Sequence, residues 1–183
     1  KPVPFHLMPT GSRSTAMVAF AGLLTGLLLP LAVSHPRSGP TTHGEWVRIA
    51  NAAGDSIRAY VAYPERKDKA PAIIVIHEIF GLTDWEPTVA DRLAAAGYVA
   101  IVPDLLSSRF GITPPDPDSG RKLTALLAPE AVNADLDAAY RYLNALPAVR
   151  KGDVASIGFC WGGGKSFRYA AANPALRAAV VCY

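Results

Sequence analysis

The chain is poor in residues that ligate metals, with four histidines and two cysteines among its 183 residues. His35, His43 and His77 do not stand at the spacings that zinc and similar ions require. The glycine run at 162–164 does not fit the G-x-x-x-x-G-K-S/T pattern of phosphate-binding loops. We therefore predict that the protein uses no metal and no other cofactor.

Negative charge is missing from the start of the chain, because the first acidic residue is Glu45. The formal net charge is +3, and Lys1 and Arg13 supply two of these charges, which leaves +1 for the rest. So small an excess predicts no binding to nucleic acid. Internal repeats with periods of about 20 to 50 residues are absent as well, which excludes a solenoid. The length suits a single domain.

Residues 14–34 carry no charge and contain the apolar run Ala16–Leu31. The next tripeptide, Ala32–Ser34, has the small-x-small form of a cleavage site, so we predict that residues 1–34 are a signal peptide removed before His35. The protein is then exported, to the periplasm, by the general secretory route, since the leader contains no Arg-Arg pair. The alternative is an uncleaved membrane anchor, because the uncharged stretch approaches spanning length. A membrane is a partner only in that case.

The rest of the chain is predicted to form a turn-rich linker at 35–44 and an α/β domain at 45–183. Alternating residues at Glu45–Ala50 and Ile57–Tyr63 predict an antiparallel hairpin. Apolar runs and helical spacing predict the other elements. The further strands are Ala72–Ile76, Tyr98–Val102, Asp153–Ile157 and Ala178–Tyr183, and the helices lie at about 84–96, 129–146 and 163–173. Strands that alternate with helices form a mostly parallel sheet with helices on both faces.

The first helix is predicted to start with Asp84 as its capping residue and to bury one face, formed by Val89, Leu93 and Ala96. The stretch Ser107–Gly120 is rich in proline and other helix-breaking residues. It is therefore predicted to be a surface loop.

The pattern Gly158-Phe-Cys-Trp-Gly-Gly163 stands between a predicted strand and a predicted helix. A nucleophile flanked by glycines at a strand-to-helix turn is typical of a nucleophile elbow. Gly158 and Gly162 are expected where a Cβ would clash. We predict Cys160 as the nucleophile and the N–H of Trp161 as a donor to a developing oxyanion.

The loop His77-Glu-Ile-Phe-Gly81 directly follows a predicted buried strand. In a fold with such an elbow this loop supplies the second oxyanion donor, for which the N–H of Ile79 is the candidate. Glu78 either holds the thiol of Cys160 in its neutral form or is a solvated loop carboxylate. His77 precedes the nucleophile, whereas the histidine base of this fold comes last in the chain. Orienting the oxyanion loop is therefore the expected role of His77, and a general base is the alternative.

Three motifs in this order resemble the dienelactone hydrolase family over about residues 45–183. They are Ile76–Gly81, Gly97-Tyr98 followed by Val102–Leu105, and Gly158–Gly163. The resemblance implies an α/β-hydrolase fold and a Cys-His-Asp triad that opens small unsaturated lactones such as dienelactone. It also implies that Glu78 contacts the resting thiol until substrate binding releases it.

The resemblance further implies arginines that hold the carboxylate of the substrate, for which a bidentate guanidinium is well suited. Arg121 lies in roughly the matching stretch, and Arg109 is the second candidate. The alternative for both is a solvated loop arginine.

The aspartate and histidine of the family follow the elbow, but residues 161–183 contain neither. We therefore expect a full-length product about 50–80 residues longer, in the size range of a single large domain. We also expect the 183-residue chain itself to hydrolyse esters negligibly, because loss of a triad member costs several orders of magnitude in rate.

The leading prediction is thus an exported, monomeric hydrolase whose partner is a small-molecule ester or lactone, cleaved through a thiolate and an acyl-enzyme. Two other functions remain open. A cysteine amidase of the glutamine-amidotransferase type also carries its cysteine on an elbow, and a binding domain can keep the fold without the base. Cys160 and Cys182 are both expected to be free thiols, with Cys182 buried as a small apolar residue.

Overall fold

The computed structural model describes residues 42–183 as alternating strands and helices. The strands are β1 (Thr42–Ala50), β2 (Ser56–Pro64), β3 (Ala70–Ile76), β4 (Val99–Pro103), β5 (Val149–Phe159) and β6 (Ala178–Cys182). The helices are α1 (Trp85–Ala95), α2 (Ser107–Phe110), α3 (Pro117–Thr124), α4 (Pro129–Ala145) and α5 (Trp161–Ala172). Every predicted strand and helix from residue 45 onward is therefore confirmed, with shifts of a few residues at the ends.

One six-stranded sheet connects all the strands, in the order β1-β2-β4-β3-β5-β6. Strands β3, β4, β5 and β6 are parallel to one another. Strand β2 is antiparallel to both of its neighbours, β1 and β4. The predicted hairpin and the mostly parallel sheet are thus confirmed. The parallel strands direct their carboxyl ends to one edge, which is where sheets of this type bind ligands.

Apolar side chains from both faces of the sheet form the core. On β3, Ile74 and Ile76 pack on the face covered by α4, and Val75 packs on the face covered by α1. Successive strand residues point to opposite faces, so a strand covered on both sides is apolar throughout. This geometry explains why the central strands read as continuous apolar runs.

The α1 helix starts differently from the prediction. Asp84 makes no side-chain capping bond. Instead, Thr83 Oγ1 accepts a hydrogen bond from the N–H of Trp85 at 3.3 Å, and Glu86 Oε2 accepts one from the N–H of Thr83 at 2.8 Å. Thr83 and Glu86 therefore form a variant of the T-x-x-E capping box, in which the threonine accepts from Trp85 rather than from Glu86.

The buried face of α1 is also rotated relative to the prediction. Ala90 and Ala94 are fully buried, Val89 and Leu93 pack beside them at the edge of the core, and Ala96 is exposed. The two alanines face the sheet because small side chains let a helix backbone approach it closely. The larger residues then cover the flanks.

The predicted surface loop Ser107–Gly120 contains α2 and the first half of α3, so this prediction was wrong. Asp116 caps α3 by accepting a hydrogen bond from the N–H of Ser119 at 2.9 Å, and Pro117 occupies the first turn. Proline is compatible with that position because its missing N–H has no helical partner there. Proline, which disrupts the interior of a helix, is therefore found here at the start of α3.

The predicted leader and most of the linker lie outside the described residues. Thr42, His43 and Gly44 were assigned to the linker but belong to β1, where Thr42 pairs with Pro64. Within residues 42–183 no helix is both long enough and apolar enough to cross a membrane.

Candidate active site

Cys160 occupies the sharp turn between β5 and α5, with φ 53° and ψ −117°. A residue with a side chain is strained in this region of backbone conformation and stays there only if its surroundings hold it. The N–H of Cys160 donates to the carbonyl oxygen of Cys182 at 2.9 Å, and the Cys160 carbonyl accepts from the N–H of Gly163 at 3.0 Å. The neighbouring strand and the first turn of α5 thus fix the strained residue, whose side chain is exposed.

The elbow glycines stand where backbones meet. A Cβ on Gly158 would lie 2.0 Å from the carbonyl oxygen of Gly162, and a Cβ on Gly162 would lie 2.4 Å from the carbonyl oxygens of Ile76 and His77. The predicted clash at both glycines is therefore confirmed. Gly162 also brings the start of α5 directly against the end of β3, so the elbow and the loop after β3 are neighbours.

The two candidate oxyanion donors lie on these neighbouring segments. Ile79 belongs to the loop after β3, and Trp161 is the first residue of α5. Within residues 42–183 neither backbone N–H donates a hydrogen bond. Two free N–H groups beside a nucleophile can stabilise charge that develops on a carbonyl oxygen.

Glu78 accepts a hydrogen bond at Oε1 from the hydroxyl of Tyr183 at 3.2 Å. This bond and the negative charge of Glu78 raise the pKa of Tyr183. In the described part of the chain no hydrogen bond joins Glu78 to the thiol of Cys160. Tyr183 directly follows Cys182, the residue bonded to the elbow backbone.

Glu86 holds the backbone at the start of the same loop. Its side chain is 1% exposed and accepts from the N–H of Glu78 at 3.3 Å and from the N–H and hydroxyl of Thr83 at 2.8 and 2.7 Å. Glu86 was not among the residues predicted from the sequence, although the T-x-x-E capping signature marks it. Tyr183 was missed too, and no local pattern marks it, because its partner lies 105 residues away.

His77 is completely buried, with its Nδ1 2.7 Å from the carbonyl oxygen of Glu78. Its ring stacks on the indole of Trp161, with centroids 5.4 Å apart and planes 6° apart. Burial lowers the pKa of His77, while the bond to Glu78 and the charges of Asp104 and Glu86 act in the opposite direction. A ring shielded from solvent in this way is poorly placed to exchange protons with a substrate.

Arg121 lies on α3 next to Gly120, where a Cβ would be 2.1 Å from the carbonyl oxygen of Phe80. Helix α3 therefore packs its backbone against the loop that carries Glu78 and Ile79. The guanidinium of Arg121 is half exposed and pairs with Asp118 at 3.2 Å. Arg109 is exposed on α2, and within residues 42–183 no hydrogen bond or ion pair joins its side chain to this loop.

Both cysteines are free thiols, as predicted, but Cys182 is half-buried rather than buried. It lies on β6, whose other residues are exposed. Among residues 42–183 no three histidine, cysteine, aspartate or glutamate side chains come together as a metal site.

A mixed sheet with a nucleophile elbow after its parallel strand β5 defines the chain as an α/β-hydrolase in fold. A solved α/β-hydrolase from Penicillium shares this fold at 17% identity, with a TM-score of 0.60 over 74% of this chain and 44% of that one. A dienelactone hydrolase structure from Klebsiella pneumoniae is 31% identical, with a TM-score of 0.67 over 75% of this chain and 58% of that one.

Sequence comparison identifies the family. A profile of the dienelactone hydrolase family matches residues 57–183, and the chain belongs to this family. A Salmonella typhi protein named as a carboxymethylenebutenolidase is 41% identical over 136 residues, which are 71% of this chain and 49% of that protein. A Bradyrhizobium protein named as a 2-oxo-3-(5-oxofuran-2-ylidene)propanoate lactonase is 37% identical over 76% of this chain and 55% of that protein. The chain thus spans about half the length of these relatives.

Proposed function

We propose that the full-length protein hydrolyses a small carboxylic ester or lactone, with the thiolate of Cys160 as nucleophile. The observation that carries this proposal is the strained elbow, which exposes Cys160 and brings the start of α5 against the loop after β3. The N–H groups of Trp161 and Ile79 belong to these two segments and donate no hydrogen bond within residues 42–183. Family membership and the names of the lactonase and carboxymethylenebutenolidase relatives support the same reaction class.

In the proposed reaction the sulfur of Cys160 attacks the carbonyl carbon, and the carbonyl π electrons move onto oxygen. The N–H groups of Ile79 and Trp161 stabilise this oxyanion. Its collapse breaks the ester C–O bond, and the leaving alkoxide takes a proton from the protonated triad histidine. Water then attacks the thioester and gives one proton to that histidine, which releases the carboxylic acid and restores the thiolate. In a lactone the leaving hydroxyl stays attached to the acid.

Residues 161–183 contain no aspartate or histidine, so we place the triad base and its aspartate in sequence after Tyr183. His77 does not replace that base in the proposal, because its ring is buried and faces the backbone of Glu78. The 183-residue chain alone is therefore expected to hydrolyse esters negligibly. Ester hydrolysis by this chain at nearly the rate of the full-length protein would overturn that part of the proposal.

Glu78 is proposed to control the ionisation of Cys160. Its carboxylate is half-buried beside the elbow and accepts the Tyr183 hydroxyl, so it has a partner when it does not contact the thiol. A carboxylate that exchanges between a thiol and a tyrosine can keep the thiol neutral at rest and release it when substrate binds.

An anionic lactone is the proposed substrate class, with Arg121 as the group that binds its carboxylate. Support comes from the packing of α3 against the loop of Glu78, in which Gly120, the residue before Arg121, lies against the backbone of Phe80. Phe159, which directly precedes Cys160 in the chain, forms an edge-to-face pair with Trp85 at 4.8 Å between ring centroids. This pair offers an apolar surface for the ring of the lactone.

The decisive experiment compares Cys160→Ala with Cys182→Ala in the full-length protein. Aryl ester and lactone hydrolysis should fall by about 10³-fold or more in Cys160→Ala, because the nucleophile is lost, and stay near wild type in Cys182→Ala. Acylated Cys160 should be visible by mass spectrometry during turnover. Activity that survives Cys160→Ala would exclude the assignment, and turnover of glutamine but not of esters would favour an amidase.

We also propose export to the periplasm, supported by the uncharged run and small-x-small site of residues 14–34. Sequencing the amino terminus of the exported protein should give His35. A start at residue 1 or 8 would contradict cleavage and favour the membrane anchor.

A further inference from the structure

The imidazole of His77 makes one hydrogen bond and has a defined tautomer. Nδ1 lies 2.7 Å from the carbonyl oxygen of Glu78, and a carbonyl oxygen can only accept, so Nδ1 carries the hydrogen. Within residues 42–183 the other nitrogen, Nε2, has no partner and is inaccessible to solvent. Burial lowers the pKa of His77 and keeps the ring neutral. The neutral Nδ1–H ring therefore has one directional function here, which is to hold the Glu78 carbonyl.

The Glu78 carbonyl and the Ile79 N–H belong to the same peptide group. In a trans peptide these two groups point in opposite directions across a rigid plane. The Glu78 carbonyl accepts the Nδ1–H of His77 at 2.7 Å and the N–H of Gly81 at 3.3 Å. These two bonds, of which the one to His77 is the shorter, fix the direction of the Ile79 N–H on the side away from the imidazole. Rotation of this peptide by half a turn would put a carbonyl oxygen where the donor stood and would repel an oxyanion.

The same imidazole also contacts the residue that carries the second donor. Its plane is 6° from that of the Trp161 indole, at a centroid distance of 5.4 Å. The backbone of His77 lies against Gly162, since a Cβ there would be 2.4 Å from the His77 carbonyl oxygen. One buried side chain thus joins the loop of Ile79 to the start of α5.

We propose that His77 is a positioning residue that orients the Glu78–Ile79 peptide, and thereby the Ile79 N–H, relative to the N–H of Trp161 for oxyanion binding. This inference rests on the proposed function. It assigns a role to a histidine that neither attacks the substrate nor transfers a proton.

Two substitutions separate the hydrogen bond from the ring. His77→Phe keeps an aromatic ring to stack on Trp161 but has no donor, whereas His77→Asn keeps a donor near the Nδ1 position but has no ring. In the full-length protein, His77→Phe should lower kcat for an aryl ester about 10²-fold, the order expected for a lost oxyanion donor, with KM nearly unchanged. His77→Asn should recover at least a tenth of the wild-type kcat.

Alkylation of Cys160 by iodoacetamide provides the control, because displacement of iodide creates no oxyanion. Its rate should stay within about twofold of wild type in both variants. Equal loss of kcat in the two variants, or a parallel loss of alkylation, would show general damage to the site and overturn the inference. Wild-type kcat in His77→Phe would overturn it as well.

The tautomer of His77 can be measured on the wild-type protein, so this test does not depend on the folding of a variant. The ¹⁵N chemical shifts of the His77 ring should report a protonated Nδ1 and an unprotonated Nε2 at pH 7.5, and the opposite tautomer would overturn the inference. Failure of the proposed function is recognised separately. If hydrolysis survives Cys160→Ala, both proposals fall, but if Cys160→Ala is inactive and His77→Phe is fully active, only the role of His77 falls.

Discussion

Tyr183 donates its hydroxyl hydrogen to Glu78 Oε1 over 3.2 Å, and so joins the residue after β6 to the loop after β3. The preceding residue, Cys182, accepts the N–H of Cys160 at 2.9 Å. The carboxylate, the tyrosine and the nucleophile therefore meet at the carboxyl edge of the parallel strands. A negative charge at this point acts on any thiolate that forms there.

Glu78→Gln should accelerate alkylation of Cys160 by iodoacetamide at pH 7 by about three- to tenfold, because a neighbouring negative charge disfavours the thiolate and the amide removes it. Mass spectrometry after timed quenching separates Cys160 from Cys182. Glu130→Gln, which removes an exposed carboxylate on α4, is the matched control and should leave the rate unchanged. An unchanged or slower rate in Glu78→Gln would contradict control of the thiol by this carboxylate.

Two neighbouring glycines of the elbow should respond oppositely to alanine. Gly162→Ala places a Cβ 2.4 Å from two backbone oxygens and should destabilise the protein by about 3 kcal/mol, because rigid backbone must move. Gly164→Ala meets nothing within 4 Å and should be neutral or stabilise α5 by up to about 1 kcal/mol. Urea unfolding followed by circular dichroism measures both changes. Equal effects would contradict the close approach of α5 to the end of β3.

Local patterns explain which parts of the fold and site were predictable. Two features depend only on residues that are close in sequence, so they can be predicted from it directly. These are the apolar run of β3 and the spacing of Gly158 and Gly162 around Cys160. The hydrogen bond from Tyr183 to Glu78 joins residues 105 positions apart, and no local sequence pattern predicts it. Helix α3 was missed because prolines before a helix look the same as prolines that prevent one.

Arg121→Gln should distinguish substrates by charge. If Arg121 binds the substrate carboxylate, KM for a carboxylate-bearing lactone should rise at least about tenfold, which corresponds to one lost charged hydrogen bond. KM for a neutral aryl ester should not change, because that substrate has no group for the guanidinium to bind. Arg109→Gln is the matched control on α2 and should affect neither substrate. Equal effects of Arg121→Gln on both substrates would indicate a structural role for its ion pair with Asp118.

His77 should make the stability of the full-length protein depend on pH in a way that His77→Phe does not. The pKa of His77 lies below its ordinary value of 6.5 in the folded protein because the ring is buried, so the unfolded chain binds a proton first as the pH falls. The contribution of His77 to the free energy of unfolding is therefore largest above pH 6.5 and decreases below it, by at most about 1.4 kcal/mol per pH unit.

Phenylalanine binds no proton in either state, so this loss of stability is absent from the variant. Between pH 7.5 and pH 5.5 the stability difference between the two proteins should shift by about 1 kcal/mol in favour of His77→Phe. The carboxylates of Asp104 and Glu86, whose charges act on the ring, are present in both proteins. Urea unfolding at the two pH values measures the shift. A shift in favour of the wild type would mean that these two carboxylates outweigh burial and hold a charged imidazolium, which would leave the ring a donor at both nitrogens.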